Sequence, residues 1–202
     1  MKLDNRTNQG LFAMKRIAKD NNGIRQKRTK ELLLTSYLSL MDKDRNASLS
    51  VTDICDNTTV NRGTFYLHYS SMEDFLSRLE DSCYDELVKA MNQIHAQVHF
   101  TSEPLFDMIE NNKNLFRYYT FYSRGVAKEK WADSIKEYLH TRSNKWKKYS
   151  EEQLDLMVHF LIGGVHTYFV SFYEHNFENK QYLIDSLDTI VTKGTRGMNQ
   201  LV

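Results

Sequence analysis

The residues best suited to chemistry lie in one stretch, Ser50 to Phe75, which reads SVTDICDNTTVNRGTFYLHYSSMEDF. It carries Thr52, Asn61, Arg62, Thr64, Tyr66 and His68, donors matched to phosphate oxygens and base edges. Arg62 is the most specific of these, because a guanidinium can give two parallel hydrogen bonds to one guanine. Catalytic signatures are missing elsewhere: there is no G-x-S-x-G, no glycine-rich phosphate loop and no H-E-x-x-H, so no enzyme is expected. Cys55 and Cys83 lack CxxC spacing, which argues against zinc ribbons and disulfide scaffolds. His95 and His99 stand four apart with no carboxylate or thiol close by in sequence, and read as surface histidines; no metal or cofactor is expected.

Those donors need short helices to hold them. Ser50 and Asp53 form a capping pair that should open a helix at Val51, running to about Asn57. Thr58 to Val60 make a turn, and Asn61 is a good N-cap for a helix through about Leu67. Together they predict a helix-turn-helix, with Ile54 and Val60 filling its small core and Cys55 at the crossing. Gly63 costs that helix up to about 1 kcal/mol against Ala, a cost that makes sense where a helix backbone closely approaches a groove.

Upstream, Leu32, Leu33, Tyr37, Leu38 and Met41 recur at steps of three and four, marking a helix from Arg25 to near Asp42. Residues 1–24 are polar and basic and read as a mobile arm. Ser71 with Asp74 should cap a long helix whose apolar positions are Met72, Phe75, Leu79, Cys83, Leu87, Met91, Ile94 and Val98. Pro104 fits the first turn of the next helix. Helical periodicity continues from Leu105 to Tyr122, around Trp131 to Leu139, from Leu154 to Tyr173 and from Tyr182 to Val191. The fold class expected is all-α, with about nine or ten helices.

A chain of 202 residues with 41% hydrophobic and 26% charged residues can bury a core, while one Pro and eight Gly remove the punctuation of most all-β folds. The net charge of +1 hides a division. Lys and Arg exceed Asp and Glu by six over residues 1–45 and by four over 101–150, whereas acids lead by five over 46–100 and by four over 151–202. A basic end on a near-neutral chain suggests a local anion-binding surface. The N-terminus lacks the apolar run of a signal peptide, and Phe160 to Val165 is too short an apolar run to cross a bilayer. A cytoplasmic protein without membrane contact is expected.

The pattern I-x-x-x-x-x-V-x-x-G-T-F-Y-x-H-Y from Ile54 to Tyr69, followed by S-x-E-D-F, resembles the tetracycline-repressor (TetR) family of bacterial transcription regulators. The resemblance covers Arg25 to Leu79 strongly and the remainder by length and helical layout alone. It implies an N-terminal three-helix helix-turn-helix DNA-binding domain, residues 25–70. A long helix would join that to a C-terminal helical bundle, residues 71–202, that dimerises and binds an effector. Arg62 and Gly63 fall where the family reads bases. Ser50, Thr52, Thr64, Tyr66 and His68 fall where it grips phosphates. Thr59 replaces a frequent turn glycine and Met72 a frequent phosphate-binding lysine, so one backbone contact should be missing. Arg25, Lys27, Arg28 and Lys30 could restore its charge. The implied function is a homodimeric, ligand-released repressor on a palindromic double-stranded DNA operator. The alternative is a helical adaptor or coregulator acting through protein contacts alone.

Two further expectations concern the C-terminal part. Leu154, Leu161, Gly164, Val165 and Tyr168 belong to an apolar face broader than one intrachain contact needs, and should form the dimer interface, with a neighbouring helix passing close to Gly164. The density of rings, with Phe116, Tyr119, Tyr122, Trp131, Tyr138 and Phe169 among them, suggests a pocket for a small apolar or aromatic effector, with His159 and His166 as polar contacts.

Overall fold

The structure is a computed structural model and describes residues 5–97, 99–123, 125–142, 147–175 and 179–198. Among the described residues it holds nine helices and no strand, in agreement with the all-α reading. In chain order they are α1 (Asn5–Lys43), α2 (Val51–Asp56), α3 (Arg62–His68), α4 (Met72–Ala96), α5 (Glu103–Asn111), α6 (Lys113–Tyr122), α7 (Val126–Arg142), α8 (Glu151–His175) and α9 (Lys180–Met198). They fall into two compact units that divide after Phe75.

In the first unit, α1 starts at Asn5, so most of the expected arm, residues 5–24, continues the same helix. No proline interrupts this segment. Of the expected stripe, Leu33, Tyr37, Leu38 and Met41 are buried and Leu32 is half-buried, while Leu34, outside that stripe, is buried as well. Ser50 and Asp53 make the reciprocal cap of α2, with Asp53 Oδ2 accepting from the Ser50 amide at 2.8 Å and Ser50 Oγ accepting from the Asp53 amide at 3.3 Å. A buried polar pin fixes α2 on α1. The Ser36 hydroxyl donates to the Ile54 carbonyl at 2.8 Å, and the Asn57 side-chain amide donates to Ser36 Oγ at 3.2 Å.

Phe65 is the one residue of α3 that is buried. Its ring packs on Tyr69 and Phe75, with centroids 5.5 and 6.0 Å away, and Phe75 in turn meets Tyr37 at 6.0 Å. The boundary therefore falls beyond the expected residue 70: the first turn of α4 supplies Phe75 to the small core. At the start of α4, Asp74 accepts from the Ser70 amide at 2.7 Å and its own amide donates to Ser71 Oγ at 3.1 Å.

The second unit packs α7 on α8, and α5 on both α6 and α9. The periodicity from Leu105 to Tyr122 is broken at Asn112, whose side-chain amide donates to the Met108 carbonyl at 3.1 Å and to Glu86 at 3.2 Å. Phe169 sits between Phe106 and Phe116 at 5.3 and 5.4 Å, edge to face with both. The carboxylate of Glu80 is buried and accepts from Tyr118 Oη at 3.0 Å and Ser123 Oγ at 2.9 Å. Asp188 of α9 accepts from the Ser102 amide at 2.7 Å, just before α5, and Lys180 reaches Asp107 and Glu110 at 2.7 and 2.8 Å.

The dependence of α3 on one ring gives a direct expectation. Phe65→Ala should cost the first unit about 3–5 kcal/mol, the usual loss for emptying an aromatic core site. Urea unfolding would measure it, and a loss below about 1 kcal/mol would mean that α3 is held by something else.

Candidate nucleic-acid interface

A helix turns about 100° per residue, so anchoring α3 through Phe65 sends Gly63 and Leu67 to the opposite side, with Tyr66 and Arg62 on its flanks. All four are exposed, Tyr66 by 55% and Leu67 by 84%. Asn61 caps the helix by accepting from the Thr64 amide at 2.8 Å, which leaves its own amide protons pointing to other partners. The N-terminal amides of α3 and the guanidinium of Arg62 thus lie at one end of an outward helical face. Tyr66 rests edge-on against Phe65 at 5.5 Å, a contact that orients the ring without burying it.

The remaining expected residues divide. Thr64 and Thr52 are half-buried in the first turns of α3 and α2. His68 is half-buried in the last turn of α3 with its ring 6.2 Å from Tyr69, so packing accounts for part of its role. Ser50 is exposed, but its hydroxyl donates to Asp53 Oδ2 at 2.6 Å and is committed to the α2 cap. That bond holds the Asp53 carboxyl below its ordinary range. A phosphate would have to displace a carboxylate to use Ser50 as a donor. Arg25, Lys27, Arg28 and Lys30 are exposed on α1. Leu67 went unnamed in the sequence pattern, although its place two residues beyond inward-facing Phe65 already turned it outward.

Gly63 has little around it. A Cβ there would meet only Asn61 Oδ1, at 3.4 Å. Nothing inside the chain demands glycine at this position.

Both thiols sit where the thiolate is disfavoured. Cys55 and Cys83 are buried, and burial raises both above the ordinary cysteine range. Among the described residues no three His, Cys, Asp or Glu side chains gather to hold a metal ion.

Among the described residues the expected effector side chains are divided between core packing, a small cavity and a larger groove. Phe116 and Phe169 pack ring on ring in the core. Phe116 and Tyr119 border a cavity of about 10 Å3, room for roughly one water. His166 lies with its ring 6.0 Å from Tyr119, and Tyr122 is half-buried at the end of α6. His159 faces carboxylates instead of rings: Nδ1 donates to the Asp155 carbonyl at 2.9 Å and Nε2 to Glu129 at 3.2 Å, bridging α8 to α7. The Tyr138 side chain lies outside the described residues. A larger groove of about 220 Å3 opens between α4 and α7, bordered by Met91, Asn92, His95, Trp131, Ser134 and Glu137. Of the expected set it includes Trp131 alone.

The expected dimer face also shifts. Leu154 is fully buried within the chain together with Val158, Ile162 and Phe169, and Tyr168 Oη donates to the Leu183 carbonyl at 2.9 Å. Leu161 and Val165 are half-buried. Since the 154–158–162 row faces inward, the open face of α8 is the row two positions round: Leu156 and Phe160, each 72% exposed, and exposed Gly164. Among the described residues no neighbouring helix passes close to the glycines, because a Cβ on Gly163 or Gly164 would meet nothing within 4 Å. The stretch Glu151–Ser171 of α8 is long and apolar enough to cross a membrane by length and composition. It nevertheless packs one row into the helical core and carries both His159 and His166.

No family model matches the chain, and no curated protein or solved structure matches it either.

Two outcomes test this geometry. Gly63→Ala should leave stability unchanged or raise it by up to about 1 kcal/mol, since only helix propensity changes; a clear loss in thermal melting would show that the site is not open. The hydrogen bonds of His159 to the Asp155 carbonyl and Glu129 raise its pKa in the folded protein. Its stabilisation is therefore complete below the ordinary histidine pKa of about 6.5 and fades as pH rises through the raised value. His159→Ala should cost more stability at about pH 5.5 than at about pH 9, and equal losses at both would refute the bridge.

Proposed function

We propose that the chain is a sequence-specific DNA-binding regulator of the TetR type, in which α2 and α3 form a helix-turn-helix and α3 enters the major groove. The observation that carries this reading is the division of α3. One ring anchors it, while Arg62, Gly63 and Tyr66 face outward beside a capped N-terminus. An arginine early in the helix can read guanine. A glycine that nothing in the chain requires lets the backbone approach the DNA. Thr52, Thr64, Tyr66 and the Asn61 amide supply phosphate donors. The exposed basic residues Arg25, Lys27, Arg28 and Lys30 add attraction that weakens as salt rises.

In this reading the protein is cytoplasmic, catalyses no reaction, and works as a homodimer on a near-palindromic operator, as two-fold symmetry requires. The Leu156–Phe160–Gly164 row would meet its symmetry mate, with the glycines allowing close backbone approach and exposed Tyr182 and Ile190 on α9 extending the contact. A small apolar or aromatic effector in the groove between α4 and α7 would release the DNA. The groove's volume of about 220 Å3 suits a compact ligand, being just below the usual range for drug-sized ones.

The test is a competition gel-shift with the full chain on duplexes selected from a randomised library. Arg62→Ala should flatten sequence preference, at about 1–3 kcal/mol of lost discrimination, without changing the fold. Gly63→Ala, neutral or favourable for folding, should weaken specific binding. Weak, salt-labile retention with no preferred sequence would favour the adaptor alternative. Phe160→Asp should yield a folded monomer in sedimentation, and a persistent dimer would move the interface elsewhere.

A further inference from the structure

We infer that Leu67 is a specificity residue that reads the 5-methyl group of a thymine, an inference that rests on the DNA-binding reading above. Leu67 is 84% exposed, the most exposed large apolar side chain among the described residues. It stands about 200° round the helix from Phe65, so the contact that anchors α3 is also what turns it outward. Its neighbour on the same face, four residues earlier, is Gly63, where an added Cβ would meet only Asn61 Oδ1, at 3.4 Å. The result is an aliphatic side chain beside a bare strip of helix backbone.

A face that docks only on phosphates has no use for such a group. Leucine can neither donate a hydrogen bond nor neutralise a charge, and leaving it in water forgoes the stabilisation that burial would bring. The floor of the major groove offers one apolar partner, the thymine C5-methyl, and apolar side chains in contact with it distinguish thymine from cytosine. Arg62, near the start of α3, and Leu67, near its end, then divide the reading between a guanine edge and a thymine methyl. Because the contact is uncharged, it changes sequence preference and leaves the salt dependence alone.

Deoxyuridine substitution isolates the methyl group, since uracil keeps every hydrogen-bonding edge of thymine. In the best duplex selected from a randomised library by the full chain, each thymine is replaced in turn and affinity is measured. One thymine per half-site should weaken binding about four-fold on replacement, the worth of a single buried methyl at ~0.8 kcal/mol. Leu67→Ala should abolish that penalty while keeping the salt slope and melting temperature. Leu67→Gln, selected anew from the library, should no longer prefer thymine there. If no thymine is sensitive, or if the penalty survives in Leu67→Ala, or if Leu67→Gln still selects thymine, the inference falls while DNA binding stands. Failure of the wild-type chain to enrich any sequence would overturn both.

Discussion

The cluster of Phe65 with Tyr69 and Phe75, tilted against both while those two meet edge to face, is the contact on which the rest of the N-terminal unit depends. A seven-residue helix is far below the length at which a helix persists alone in water, so α3 exists because its single inward ring has somewhere to go. Hydrogen bonds then set its ends. Asn61 closes the start, and the Tyr69 amide donates to the Phe65 carbonyl at 2.9 Å at the finish, where the chain turns extended. The exposed side has few duties inside the chain, Tyr66 meeting Phe65 edge-on and Asn61 capping the start, because the buried ring carries the packing.

In the second unit, polar groups take the part that rings play in the first. Glu80 is buried with two hydroxyl donors, Asp188 receives the Ser102 amide, and Lys180 spans two carboxylates of α5. A buried carboxylate is tolerable only when its oxygens are satisfied, and such satisfied groups fix one arrangement of helices over others that would bury as much apolar surface. The register of α8 follows. With Leu154, Val158 and Ile162 turned inward, the side left over is apolar too, which an isolated globular chain has little reason to keep.

The local grammar was legible in the sequence. Ser50 with Asp53, Asn61, and Ser71 with Asp74 announced their helix starts, because capping is written in residues three apart. The stripe from Leu33 to Met41 announced the first core face. What stayed hidden was long-range or a matter of register. Ser36 meeting Ile54, and Glu80 meeting Tyr118, join residues far apart in the chain, and no periodicity encodes them. The ring density between Phe116 and Phe169 did not distinguish a pocket from a core, since both need aromatic surface, and here the rings fill the space themselves. On α8 apolar residues occur on several sides, Leu154, Leu156, Met157, Val158 and Phe160 among them, so the pattern allowed several faces and the choice of Leu154 for the outside went the wrong way.

The separation of anchor from outward face on α3 has an evolutionary side. Substitutions at positions 62, 66 and 67 alter exposed side chains, where changes usually move stability by no more than about 0.5 kcal/mol. A duplicated copy of this chain could therefore vary its exposed surface at these positions while its folding stayed under selection at Phe65, Tyr69 and Phe75. Adaptability of the outer face and constancy of the inner one are two results of a single helical repeat.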